Sequence, residues 1–234
     1  VKTIGASAFA NTKLTYLDLS EATSLVEIGK SAFSETNLAG TLMIPSTVTK
    51  IGPDAFYYTG LTGLDLSKAT SLVAIGPGAF SYTKLAGTLA VPNTVTTIGA
   101  WAFANTELTC LDLSKATSLV EIGESAFYAA TNLAGTLAVP NTVTKIGNEA
   151  FYYTKLTRLD LSDATSLVEI GNGAFYAATL AGTLAVPNTV MTIGNAAFAS
   201  TKLAGLDLSK ANSLDVEIKA GAFSDISGIP WRSD

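Results

Sequence analysis

Five aspartates, Asp18, Asp65, Asp112, Asp160 and Asp207, recur at intervals of 47 or 48 residues, each inside the string Leu-Asp-Leu-Ser. A regular row of carboxylates could ligate a hard cation or supply the acid and base of a glycosidase. In an extended segment the flanking leucines point one way and the aspartate the other, so all five belong on one exposed face. If such segments occupy every second rung of a parallel stack, neighbouring carboxylates stand roughly 9 to 10 Å apart. Calcium needs its oxygens at about 2.3 to 2.6 Å from a single ion, and the intervening rungs offer only Met43, Ala90, Ala138 and Ala185. An inverting carboxylate pair accepts the wider separation, but it also needs one acid held protonated in a closed pocket, which an open face does not supply. No metal ligand set and no catalytic pair is therefore expected. Two readings of the row stay open. Either the charges keep the face soluble, or an acidic stripe, flanked by Ser20, Ser67, Ser114, Ser162 and Ser209, takes a basic or hydroxyl-rich partner.

The second candidate set is aromatic. Tyr57, Tyr58, Tyr82, Tyr128, Tyr152, Tyr153 and Tyr176 each fall one or two positions after a phenylalanine, and Trp101 lies two positions before one. Nearer the two ends the corresponding positions carry Ala10, Asn11, Ser34, Glu35, Ala199 and Ser200, so the rings form a central patch and not a uniform ladder. Tyrosine suits an interface because it buries a large area with few rotors and keeps a polar tip. Lateral packing of the rings against a turn fits the same spacing equally well.

Histidine is absent, which removes the commonest general base, the usual triad partner and the usual transition-metal ligand. The single cysteine, Cys110, cannot form an internal disulfide and precedes Leu111, at a position where other copies carry Tyr16, Gly63, Arg158 and Gly205. Nothing near it in the sequence would activate a thiolate. The chain thus reads as non-enzymatic and without a cofactor. With 19 acidic against 14 basic residues and a net charge of -5, it has no basic run to neutralise phosphates, so no nucleic acid is expected as a partner. Polar residues and glycine interrupt every apolar run far short of the roughly 20 residues a membrane helix needs, so no membrane span is expected.

A repeat must position these groups. Phe9, Phe33, Phe56, Phe80, Phe103, Phe127, Phe151, Phe175, Phe198 and Phe223 are 23 to 25 residues apart, each with an isoleucine five positions earlier. Two kinds of unit alternate. The first runs from Leu14 through Leu17, Asp18 and Leu19 to Ile28-Gly29, and returns from Leu61, Leu108, Leu156 and Leu203. The second runs from Leu38 through Leu42, Ile44 and Pro45 to Ile51-Gly52, and returns from Leu85, Leu133 and Leu180. It has one extra residue before its strand and two fewer after it.

Leucines two apart point the same way from a strand; the glycine after each isoleucine reads as a turn, and the proline ends a strand. One unit cannot bury its own apolar side chains, whereas stacked units put like on like. The predicted fold is a repeat solenoid, mostly β and turn, of about ten coils of 23-24 residues in alternating pairs. A parallel sheet covers one face, and the length is on the order of 45 Å. Leu14, Leu17, Leu19, Leu25, Ile28 and Phe33 should form columns with Leu38, Leu42, Ile44, Val48, Ile51 and Phe56. The seven threonines that stand three positions after a Phe are assigned to turns, with hydroxyls satisfying local backbone, in preference to an ice- or crystal-matching surface.

The segments 42–56 and 137–151 resemble the BspA-like class of leucine-rich repeats, in which a strand ending in Ile-Pro is followed by Val and then Ile-Gly-x-x-Ala-Phe. The resemblance spans residues 1–224, taken as one leucine-rich-repeat solenoid, with 225–234 as a short tail or partial C-terminal cap. Two departures stand out: Thr12, Thr36, Thr59, Thr83, Thr106, Thr154 and Thr201 where family members often carry Cys, and Asp-Leu-Ser in place of Ile-Pro in alternate coils. The resemblance implies an extracellular or cell-surface protein that binds other proteins. Val1 enters in mid-unit, so further chain is expected before it; Asp215 is inserted, and Ile226, Ile229, Pro230 and Trp231 read as a cap or a truncated next coil. The function expected is a non-catalytic protein-interaction module with a rigid surface, possible sites being the Asp row and the aromatic patch. A structural scaffold or subunit of a larger assembly is one alternative. A carbohydrate-binding surface on the acidic face, with Tyr16 and Arg158, is another.

Overall fold

The computed structural model describes residues 1–210 and 216–226. The chain winds into a parallel β-solenoid of about ten coils, and every described strand is paired in parallel with the coil before or after it. From the second coil onward the Leu-x-Leu segments are strands: Ala39–Met43, Ala86–Ala90, Ala134–Ala138 and Ala181–Ala185 in the shorter units, and Gly60–Asp65, Glu107–Asp112, Lys155–Asp160 and Lys202–Asp207 in the longer ones. Each shorter-unit strand pairs with the strand that follows, Leu42 beside Leu64 and Leu137 beside Leu159, and the ladder lapses at the next rung. The register slips once per pair, after Gly40, Gly87, Gly135 and Gly182, which leaves Thr62, Thr109, Thr157 and Ala204 without a partner position. Each of these glycines has a left-handed φ between 74° and 82°, the conformation such a bulge demands. The bulge is also why Leu108 and Leu111, three apart, both reach the core.

The continuous sheet lies elsewhere. Ten two-residue strands, from Thr3–Ile4 through Glu121–Ile122 to Glu217–Ile218, pair in chain order into one parallel sheet. Leucine spacing alone predicts the sheet on the leucine strands and a turn at Ile-Gly. The glycine is required for a different reason: a Cβ at Gly123 would lie 2.7 Å from the Ala100 nitrogen and 2.8 Å from the Ile98 oxygen. From Gly29 to Gly194 each coil lies so close to the one before it that a Cβ after the isoleucine would collide with backbone, whereas the last described coil carries Lys219 at that place. Gly5, in the first coil, has nothing within 4 Å of that position.

The Phe segment closes each coil and forms another axial ladder. Ser7, Phe9 and Asn11 donate their N–H groups to the Lys30, Ala32 and Ser34 carbonyls of the next coil at 2.8 to 2.9 Å, while Ala8 and Ala10 bond back within their own coil. To alternate in this way the backbone turns left-handed two residues before and two after the phenylalanine, as at Trp101 (φ 60°) and Asn105 (φ 54°). The rings stack along the axis with centroids 5.1 to 5.4 Å apart and planes within 4° to 9°. Seven threonine hydroxyls donate to the Phe carbonyl three residues back at 2.8 to 3.0 Å, and in six of them the threonine is buried. The leucine, isoleucine and phenylalanine columns form one core. Leu14 and Leu17, in the first coil, are only partly buried. Of the tail, only residues 225 and 226 are described, Ile226 packing on the core; Asp215, Ile229, Pro230 and Trp231 lie outside the described residues.

Candidate functional site

The aromatic residues sit in the Phe segment, and backbone alternation sorts them into two kinds. Tyr57, Tyr128, Tyr152 and Tyr176, directly after a phenylalanine, are half-buried. Three of them stack, with centroids 5.0 Å from Tyr128 to Tyr152 and 4.8 Å from Tyr152 to Tyr176, and Trp101 lies tilted against Tyr128 at 5.2 Å. Tyr58, Tyr82 and Tyr153, one residue later, occupy the left-handed position with φ of 54° to 57° and are exposed. Tyr153 flanks the stack edge-on, meeting Tyr152 at 4.5 Å, while Tyr58 and Tyr82 lie tilted to each other at 6.4 Å. The rings therefore form two groups, Tyr57-Tyr58-Tyr82 and Trp101-Tyr128-Tyr152-Tyr153-Tyr176. A shallow groove of about 260 Å³, lined by Asp54, Tyr57, Tyr82 and Trp101, joins them into one edge six coils long. Burial pushes the Tyr152 hydroxyl up to about 12, with the neighbouring Tyr153, Tyr176 and Tyr128 adding to it. Packing and exposure thus divide the patch between them by position.

The aspartates are placed as the spacing predicts, with Met43, Ala90, Ala138 and Ala185 beside Asp65, Asp112, Asp160 and Asp207. Each also has a local task. Its Oδ1 accepts the N–H of the serine two residues on, at 2.8 to 3.0 Å, and so closes the turn that ends the strand. All five carboxyls are held below the usual range. For Asp65, Asp112 and Asp207 the serine hydroxyl leads, followed by its N–H; for Asp18 and Asp160 the order is reversed. Arg158 lies 3.8 Å from Asp160. Cys110 is exposed beside Thr88 on the same strand face. Among the described residues no group of three or more Asp, Glu or Cys side chains converges on a point where a metal ion could sit.

A row of recesses was not foreseen from the sequence. Because every second coil is two residues shorter at the corner after its strand, it sits back between its neighbours. One recess of about 700 Å³ is lined by Asp65, Ser67 and Thr70, by Pro92 and Asn93 of the short coil, and by Ser114 and Thr117. The arrangement recurs around Pro140-Asn141 and Pro187. The length difference between the two units was the signal that pointed to it.

The family model of the BspA type leucine-rich repeat region matches the chain in six copies over residues 2–134 and 111–229. No curated protein matches the chain. Among solved structures, the pneumococcal vaccine antigen PcpA superposes with a TM-score of 0.56 at 17% identity, over 83% of this chain and 61% of that one. A leucine-rich repeat protein from Bacteroides ovatus gives a TM-score of 0.46 at 20% identity, over 88% of this chain and 66% of that one. At such identities the likeness to PcpA is one of fold, and the chain spans less than two thirds of the length of either protein. No described helix is long and apolar enough to cross a membrane.

Proposed function

The chain belongs to the BspA-type leucine-rich-repeat family, and from that premise we propose that it is a non-catalytic protein-interaction module of a cell-surface or secreted protein, docking its partner on the aromatic edge. The observation that carries this reading is the run of eight aromatic side chains over six consecutive coils, four of them exposed, on a backbone tied along the axis by the ten-stranded sheet and the Phe-segment hydrogen bonds. A preorganised row loses little entropy when a partner binds, and Tyr and Trp supply most of the energy at such contacts. The aspartate row, engaged with its own turns, is the weaker candidate. Support for the surface location comes from the family and from the shared fold with a vaccine antigen.

The test is light scattering on the parent and on a variant with Tyr57, Tyr58, Tyr152 and Tyr153 replaced by alanine, followed by hydrogen exchange with candidate cell-surface proteins added. Two monomers, with protection confined to coils three to eight on adding a partner, support the reading. A stable parent oligomer that the variant converts to a monomer moves the edge to self-assembly, the scaffold alternative. The hydroxyl-lined recesses favour a second reading, carbohydrate binding at the opposite corner; a glycan whose binding is lost in Asn93→Ala with Asn141→Ala but kept in the tyrosine variant would establish it.

A further inference from the structure

The aromatic edge has a charge asymmetry. Its six coil segments, 52–59, 76–83, 99–106, 123–130, 147–154 and 171–178, contain no lysine or arginine, yet carry three carboxylates, Asp54, Glu124 and Glu149. Asp54 lines the groove with Tyr57, Tyr82 and Trp101. Gly78 leaves the space its carboxylate occupies, since a Cβ there would collide with Asp54 Oδ1. Among the described residues no lysine or arginine pairs with Asp54, Glu124 or Glu149; the ion pairs that form involve Glu27, Glu169, Asp160 and Glu217. A carboxylate set among ring faces, with no cation of the protein's own to neutralise it, repels anions and attracts cations.

We propose that this groove seats the guanidinium of an arginine-bearing segment of the partner, and that Glu124 and Glu149 meet further basic residues along the edge. This rests on the docking reading above and names the chemistry of what docks. Arginine fits better than lysine because its planar head stacks on a ring while its fork reaches a carboxylate. Asp54 and Glu149 are four coils apart, on the order of 20 Å, which an extended segment of about six residues spans.

The experiment uses a Trp231→Phe background, in which Trp101 is the sole tryptophan and reports on the groove. It is titrated with capped hexa-arginine, hexa-lysine and hexa-glutamate peptides at low and at physiological salt. The expected result is a saturable change in Trp101 emission with hexa-arginine, weaker with hexa-lysine, absent with hexa-glutamate and reduced by salt. Asp54→Asn, nearly isosteric, should bind hexa-arginine about fivefold more weakly, whereas Asp163→Asn, at the opposite corner, should match the parent. Equal affinity for parent and Asp54→Asn, or equal binding of hexa-glutamate, overturns the inference. If hexa-arginine leaves Trp101 unmoved while a protein partner still protects the edge in hydrogen exchange, the cation inference falls and the docking reading stands. If no partner protects the edge either, both fall.

Discussion

A single atom decides what several residues can be. Gly123 and Gly5 hold the same place in the motif, yet a Cβ meets backbone at 2.7 Å in the first and open space in the second. Gly123→Ala should therefore destabilise the protein by about 3 kcal/mol through forced separation of two coils, while Gly5→Ala should be neutral or stabilise by a few tenths of a kcal/mol. Denaturant midpoints of the two variants check this, and equal midpoints would rule out the close-approach account. The aspartates add a pH dependence. Their carboxyls are depressed in the folded state, so the stability they contribute is present above the unfolded value of 3.8 and is lost as pH falls through the folded values. Asp112→Asn keeps the oxygen acceptor but not the charge, and should flatten the acid limb of a stability-against-pH curve. Tyr152 works in the other direction. Its raised value means stability is retained below pH 10 and lost between 10 and about 12, and Tyr152→Phe should remove that alkaline loss.

Among the elements, the bulged strand pairs show how two unequal units share one core. Gly135 has open space where a Cβ would go but a φ of 82°, so its only obstacle to substitution is backbone strain. Gly135→Ala should cost about 1 to 2 kcal/mol, less than Gly123→Ala, as read from the two denaturant midpoints. Periodicity made the leucine strands legible because leucines two apart can lie only on one side of a strand. The ten-stranded sheet was not legible. Two-residue strands show no alternation, and Ile-Gly reads as a turn unless the neighbouring coil is known to lie against it. Left-handed positions beside each phenylalanine were hidden as well, since serine, glutamate, tyrosine and tryptophan occupy them despite the cost to an L-residue. Axial hydrogen bonds to the next coil hold them there.

Across the whole molecule, stability is a matter of neighbours. Each coil touches only the coils on either side, so a defect in the middle severs the stack and one at an end shortens it. Phe127, fully buried between Phe103 and Phe151, should lose about 4 kcal/mol as alanine. Phe9, 42% exposed, should lose clearly less. Hydrogen exchange should be slowest in the central coils of the parent and should speed up on both sides of position 127 in the variant, an outcome that a single cooperative unit would not give.

The sequence by itself determined the coil count, the columns of leucine, isoleucine and phenylalanine, the alternation of long and short units and the pairing of Asp65, Asp112, Asp160 and Asp207 with a methionine or alanine. All of these follow from a strict period and from the need of each unit to bury its apolar side chains against the next. Only the tertiary structure decided where the continuous sheet runs, which tyrosines pack and which stand clear, and that Asp54, Tyr82 and Trp101, from three successive coils, share one groove. Those outcomes depend on the handedness of single backbone positions and on the distance between coils, neither of which a repeat pattern encodes.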